Sequence, residues 1–231
     1  MIKNYFVKKM QQAFDDNEAY IRSLIEKKVQ SAKRKKLYLD VGCGSCEMTH
    51  RLFKNILDKV TLCGIDLFPS DFSQKIRLYK ADLEKDRFPF DKKFDVVVSN
   101  QVIEHLLNKD HMIKEVYRVL KPGGIFILST ENISSFDNIL SLLLGQEPVS
   151  QHTGHDFHTN SFLSPHFMEK LDPQLGNKYA HKNVCSYFGL KRLFEVHSFR
   201  IRQVRTFGNV FNLLEKLFPI YNRLITVVGE K

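Results

Sequence analysis

The stretch Leu39–Glu47, LDVGCGSCE, sets an acidic residue, two glycines and two cysteines close together. Two kinds of chemistry use such a run. Glycines let a chain turn sharply and bring main-chain N–H groups up to an anionic or hydroxyl-bearing ligand. The spacing Cys43-x-x-Cys46 instead suits a pair of zinc ligands or a redox dithiol. No second such pair and no histidine pair follows at finger spacing, and Cys63 and Cys185 sit where small buried thiols are common, so metal or redox use is disfavoured. An acidic residue, Asp66, closes GIDL about twenty residues on, where a carboxylate can accept both hydroxyls of a ribose. Asp82 and Leu83 of ADLE could read an adenine edge, and Asn100 ends FDVVVSN. Downstream, QHTGHDFH carries His152, His155 and His158 three apart.

The elements that must position these groups follow from apolar spacing. Met10, Phe14, Ile21, Leu24, Ile25 and Val29 recur at helical steps and predict an amphipathic N-terminal helix. LYLDVGCG, VTLCGIDL, IRLYKADL, FDVVVSN and GIFILST are short apolar runs that read as buried strands. CEMTHRLFKNIL and KDHMIKEVYRVL read as the helices between them, the second ended by Lys121-Pro122-Gly123-Gly124. Strands alternating with helices predict a parallel sheet covered on both faces. After Thr130 the rhythm changes to one apolar helix candidate, FDNILSLLLG, and a long polar stretch of the kind that serves as a lid or binding segment. SYFGLKRLFEVHSF, FRIRQVRTF and LITVVGEK return to pattern as a helix and two strands. The expected organisation is one α/β domain over 1–231. It has an N-terminal helical extension (1–35), a core (36–131), an insertion (132–180), and a C-terminal helix with the final two strands (181–231).

Length and composition limit the alternatives. The chain has 231 residues, 43% hydrophobic and 26% charged, with four cysteines. That is an ordinary globular balance, large enough to bury a core, and not a disulfide scaffold. No apolar run reaches the ~20 residues of a membrane span, and the start lacks a signal-peptide pattern, so a cytoplasmic location is expected. The net charge of +9 is concentrated at the ends: residues 1–36 carry ten Lys/Arg against four Asp/Glu, and residues 177–231 carry ten against three. Basic ends suit an acidic partner, such as RNA or an anionic membrane surface, or simply keep helix faces solvated.

LDVGCGSCE, GIDL, ADLE, FDVVVSNQVIEHL and LKPGGIFILSTEN, in that order, resemble the class I S-adenosylmethionine-dependent methyltransferases, notably the type 11 and ubiquinone-biosynthesis-like branch. The resemblance implies a Rossmann-like, seven-stranded, mostly parallel sheet with helices on both faces and an insertion after strand 5. It implies S-adenosyl-L-methionine as cofactor, with Asp40, Gly42, Cys43 and Gly44 around its amino-acid portion. Asp66 and Leu67 would serve the ribose, Asp82 and Leu83 the adenine, and Asn100 the open side. One position departs: Cys46 stands where the family often has a third glycine, and its thiol would either crowd the methionine end or turn into the helix–sheet contact.

The methyl donor is already activated, so the enzyme mostly supplies alignment and a dry site. A hydroxyl acceptor would need deprotonation, for which His152 and His155 are the candidate catalytic bases, with His105 a further one. In some relatives a Glu-x-x-Glu-His run binds a divalent metal; here Gln101 replaces its first carboxylate, and no metal is expected. The expected acceptor is an O, N or C atom of a small molecule, lipid precursor or glycan-linked group, with Phe136, Leu140, Leu142, Leu143, Leu144, Phe157, Phe162 and Phe167 as apolar lining. RNA methylation and a non-catalytic adenosine-binding subunit are the alternatives. NVFNLLEKLFPIYNRL is expected to pack as the last helix, with peripheral membrane contact through Lys216 and Arg223 as the other reading.

Overall fold

Met10, Ala13, Asn17, Ile21 and Ile25 form the buried stripe of the first helix, α1 (Ile2–Gln30). The computed structural model describes residues 2–30, 35–71, 73–91, 93–151, 161, 163, 180–208 and 210–231. The expected apolar runs form β1 (Leu37–Val41), β2 (Thr61–Asp66), β3 (Arg77–Lys80), β4 (Phe94–Asn100) and β5 (Leu120–Glu131). Between them lie α2 (Glu47–Phe53) and α3 (Lys109–Val119), and beyond them α4 (Phe136–Leu143). The chain ends in α5 (Tyr187–Val196), β6 (Arg200–Phe207), α6 (Leu213–Leu217) and β7 (Leu224–Glu230).

The strands make one seven-stranded sheet in the order β3-β2-β1-β4-β5-β7-β6. β1 to β5 are mutually parallel, and β7 runs antiparallel between β5 and β6. Residues alternate between faces along each strand. Leu39, Val41, Val97, Phe126 and Leu128 meet α3 and α5 through Met112, Val116, Leu190 and Phe194. Tyr38, Val96, Val98, Ile125 and Ile127 meet α1 and α2 through Ile21, Ile25, Leu52 and Phe53. Burial on both faces is what makes the parallel strands read as continuous apolar runs. The strand order reverses between β1 and β4, and in such sheets the crevice at the carboxyl ends of those strands is where ligands bind.

Two expectations are overturned on the C-terminal side. NVFNLLEKLFPIYNRL does not pack as a core helix. Its helical part is α6 alone, followed by a 3-10 turn over Pro219–Tyr221. Proline ends the helix because it has no N–H to donate. Glu215 is the buried side chain of α6, accepting from Val210 N at 3.2 Å, whereas Leu213, Leu217 and Phe218 are more than half exposed. The expected helix α4 is present, with Asp137, Asn138 and Ser141 buried and Leu142, Leu143 and Leu144 exposed. Arg223, read beside Lys216 as a surface cation, is buried and paired with Glu131 at 3.1 Å and with Asp137. No helix among the described residues is long and apolar enough to cross a membrane.

Candidate active site

The glycine turn follows β1 directly at the switch point. Gly42 adopts φ +82° and Gly44 φ +50°, both in the left-handed region that favours glycine. A Cβ on Gly42 would stand 2.3 Å from the Val102 side chain, so the turn packs against the chain leaving β4. A Cβ on Gly44 would meet nothing within 4 Å, so that side of the turn faces open space of the kind a ligand's amino-acid end can fill. Gly42 N and Cys43 N donate to Ile65 O at 2.8 and 3.3 Å, and Gly44 N donates to Asp66 Oδ2 at 3.1 Å. The ends of β1 and β2 are thereby tied together. Asp66 Oδ1 accepts from Phe68 N at 2.9 Å, and Ala81 N donates to Asp66 O at 3.0 Å, which brings the turn after β3 alongside.

Asp40, Gly42, Cys43, Gly44, Asp66, Leu67, Asp82, Leu83 and Asn100 therefore lie along one edge of the sheet. Their side chains differ in what they can do there. Asp40 is buried and accepts from Thr49 Oγ1 at 2.5 Å; burial, with Asp66 adding to it, pushes its carboxyl up to about 6. Asp82 accepts from Glu84 N at 2.9 Å and pairs with Lys85 at 3.2 Å, and the Glu84 N–H holds it low. Leu83 is buried in the core, so only its main chain can reach a ligand, whereas Leu67 is exposed. Cys43 and Cys46 are both buried and hydrogen-bonded to each other through their thiols, which raises the first and lowers the second. Cys46 has φ +60° at the start of α2 and packs with Leu52, Phe53 and Val98. Of the two orientations expected for its thiol, the structure has the one turned into the helix–sheet contact.

A second cluster lies where β4 and β5 end. Glu104, His105 and His181 place one potential ligand atom each within 4.8 Å of one another. Glu104 is fully buried; its Oε2 accepts from Thr130 Oγ1 at 2.8 Å, and its Oε1 has no partner among the described residues. Burial pushes Glu104 up to about 7 and His105 down to about 4. His105 Nδ1 faces Ala180 O at 3.2 Å and His181 Nδ1 faces Ser150 O at 2.7 Å. A carbonyl against Nδ1 favours the tautomer in which Nε2 is the ligating atom. Lys182 N and Asn183 N bond Glu104 O at 2.9 and 3.1 Å, which straps residues 180–183 against the cluster. An orphaned buried carboxylate oxygen beside two imidazoles fits a divalent cation. The expectation of no metal rested on Gln101, and His181, the member that changes the donor set, carries no signal in the sequence. His152, His155, Phe157, Phe162 and Phe167 lie outside the described residues.

A glycine turn at the switch point of a parallel sheet, with Asp66 at the end of β2 and Asp82 just beyond β3, defines a Rossmann-like domain built for an adenosine-type cofactor. Residues 39–128 match the family model described as "Methyltransferase domain". The mitochondrial ubiquinone biosynthesis O-methyltransferase of Rattus norvegicus is 27% identical over 151 residues, covering 58% of this chain and 41% of that protein. Its counterpart from Dictyostelium discoideum is 28% identical over 178 residues, covering 67% and 51%. The chain thus spans about half the length of the curated relatives it matches. An S-adenosylmethionine-dependent methyltransferase from Clostridium acetobutylicum shares the fold with a TM-score of 0.55 at 17% identity, covering 90% of this chain and 88% of that one. Residues 39–128 thus form the methyltransferase domain of a class I S-adenosylmethionine-dependent methyltransferase, and the chain is similar to the ubiquinone-biosynthesis O-methyltransferases of that class. S-adenosylmethionine is the cofactor of this family, and the open side of the glycine turn fits its amino-acid end.

Proposed function

We propose that this chain moves the methyl group of S-adenosylmethionine to an oxygen of a small acceptor seated over the carboxyl ends of β4 and β5. The observation that carries this reading is the cluster of buried Glu104 with half-buried His105 and His181. On this reading Asp40 and the Gly42–Gly44 turn hold the cofactor's amino-acid portion, Asp66 and Leu67 its ribose, and Asp82 and Leu83 its adenine. Asn100 borders the reacting methyl. Glu104, His105 and His181 would hold a divalent cation, which when bound polarises an acceptor hydroxyl and favours its ionised form. His105 is held neutral by burial, as a ligand or proton acceptor must be. His152 and His155 are the alternative bases; His155→Ala should then slow transfer without changing cofactor affinity.

An oxygen acceptor is also what the named relatives take, since both are called O-methyltransferases. The basic ends keep RNA as the second reading. The inward-turned Cys46 thiol removes the ground for a non-catalytic subunit, because it does not occupy the cofactor hollow. The deciding experiment is transfer of labelled methyl to fractionated extracts, with and without nuclease and with and without a chelator. Label in a small nuclease-resistant product, lost on chelation, supports the proposal. Nuclease-sensitive label with steep salt dependence would replace it with an RNA substrate.

A further inference from the structure

We propose that Asn17, on α1 and outside the residues matched by the family model, is a positioning residue for Asn100 and Gln101, which makes the N-terminal helix a working wall of the methyl-transfer site. The inference rests on the reading of Asn100 as a residue bordering the cofactor.

Asn17 stands in a buried stripe with Met10, Ala13, Tyr20, Ile21 and Ile25, and only 1% of it is exposed. An amide in such a place is costly unless its hydrogen bonds are met. Three strands meet them. Sheet register puts Asn100 of β4 beside Ser129 of β5, and Ser129 beside Thr226 of β7. This polar row continues the face on which Val98, Ile127 and Val228 pack. Asn17 Nδ2 donates to Ser129 Oγ at 2.8 Å and, at a long 3.5 Å, to Asn100 Oδ1, while its Oδ1 accepts from Thr226 Oγ1 at 2.5 Å.

The contact controls the corner that leaves β4. Gln101 has φ +56°, a left-handed conformation uncommon for a residue other than glycine, asparagine or aspartate. Ser129 holds that corner, accepting from Gln101 N at 2.9 Å on its carbonyl and from Gln101 Nε2 at 3.4 Å on its hydroxyl. Asn17 in turn fixes the Ser129 hydroxyl. With its oxygen turned toward Asn17, the Asn100 amide presents its NH2 group as a donor on the other side. A residue needed only to register α1 on the sheet would not have to touch Asn100 at all.

The test measures S-adenosylmethionine affinity by titration calorimetry for the wild type, Asn17→Ala, Asn100→Ala and the double variant. The expected result is about a tenfold loss in each single variant, with the double variant no weaker than Asn100→Ala. Asn17→Leu keeps the volume but leaves the Ser129 and Thr226 hydroxyls a partner short, so each variant's melting temperature is measured and affinity is read well below it; Asn17→Leu should lose affinity as Asn17→Ala does. Losses that multiply in the double variant, or normal affinity in both Asn17 variants beside a weakened Asn100→Ala, would overturn the positioning role. Normal affinity in Asn100→Ala beside a weakened Asp66→Ala would instead remove Asn100 from the cofactor site, and the proposal with it.

Discussion

The two halves of the site are built by different means. The cofactor half is made of turns that follow β1, β2 and β3, each contributing main-chain groups and one carboxylate from a short local run. The acceptor half is made of side chains that meet from distant parts of the chain. His105 meets Ala180 O across 75 positions, and Arg223 bonds Glu131 across 92. Local turns can be shared widely because they need only a few residue types at fixed spacing. Long-range polar clusters need several elements to fit at once, and buried polar groups that lose one partner are costly. On the proposed reading, the first half binds the common cofactor and the second chooses the acceptor.

That division is broken most directly by Glu104→Gln. The amide keeps the volume and an acceptor for Thr130 Oγ1 but removes the charge beside His105 and His181. Methyl transfer should fall at least about a hundredfold, with S-adenosylmethionine affinity within about twofold of wild type. Equal losses of both would show the two halves to be one. The mirror variant is Asp66→Ala, which removes the carboxylate that ties β2 to the glycine turn. Two charge-assisted hydrogen bonds to a ribose make a loss of about 2 kcal/mol, roughly thirtyfold in affinity, the expected outcome of calorimetry. Asp58→Ala, at an exposed and loosely paired position, should bind as wild type.

Legibility in the sequence follows the same line. LDVGCGSCE, GIDL and ADLE could be read because strand, turn and acid lie within a few residues of one another. The parallel core was legible from apolar runs buried on both faces. His181 could not be found, since nothing near it in sequence marks it as a partner of Glu104 and His105. α6 misled for a different reason. In α6 leucine content suggested a buried face, and in both α4 and α6 the polar partners of Asp137, Asn138 and Glu215 decided which side turned inward. Periodicity reports that a helix has two faces, and the tertiary hydrogen bonds select the one that is buried.

Within the cofactor half, Asp40 gives a pH dependence with a definite sign. Its carboxyl is raised to about 6 and is therefore charged at neutral pH, where on the proposed reading it would attract the ammonium of the cofactor's amino-acid end. Affinity should fall roughly tenfold between pH 6.5 and 5 as Asp40 takes up a proton, and the slope should vanish in Asp40→Asn. Stability moves the other way. Between the unfolded value of 3.8 and about 6, the folded state holds a proton the unfolded state has lost, so stability from this residue declines as pH rises. Asp40→Asn should thus bind cofactor more weakly at pH 7 and yet be more stable there, by up to about 3 kcal/mol, as chemical denaturation would show. A variant weaker in both would mean that the carboxylate holds the turn together.

The smallest effect tests the inward thiol. Cys46 adopts a left-handed conformation, which costs a side-chain-bearing residue about 1–2 kcal/mol and glycine little. Against that, Cys46 is fully buried beside Leu52, Phe53 and Val98, and glycine would forfeit those contacts and add about 0.5–1 kcal/mol of backbone entropy. These terms nearly cancel, so Cys46→Gly should change stability by no more than about 1 kcal/mol. Its S-adenosylmethionine affinity should stay within about threefold, because the side chain removed lies beneath the turn and not in the hollow above it. A tenfold gain would show that the thiol spends time in the hollow and competes with the cofactor's methionine end. The glycine turn would then have been weakened by its own third position.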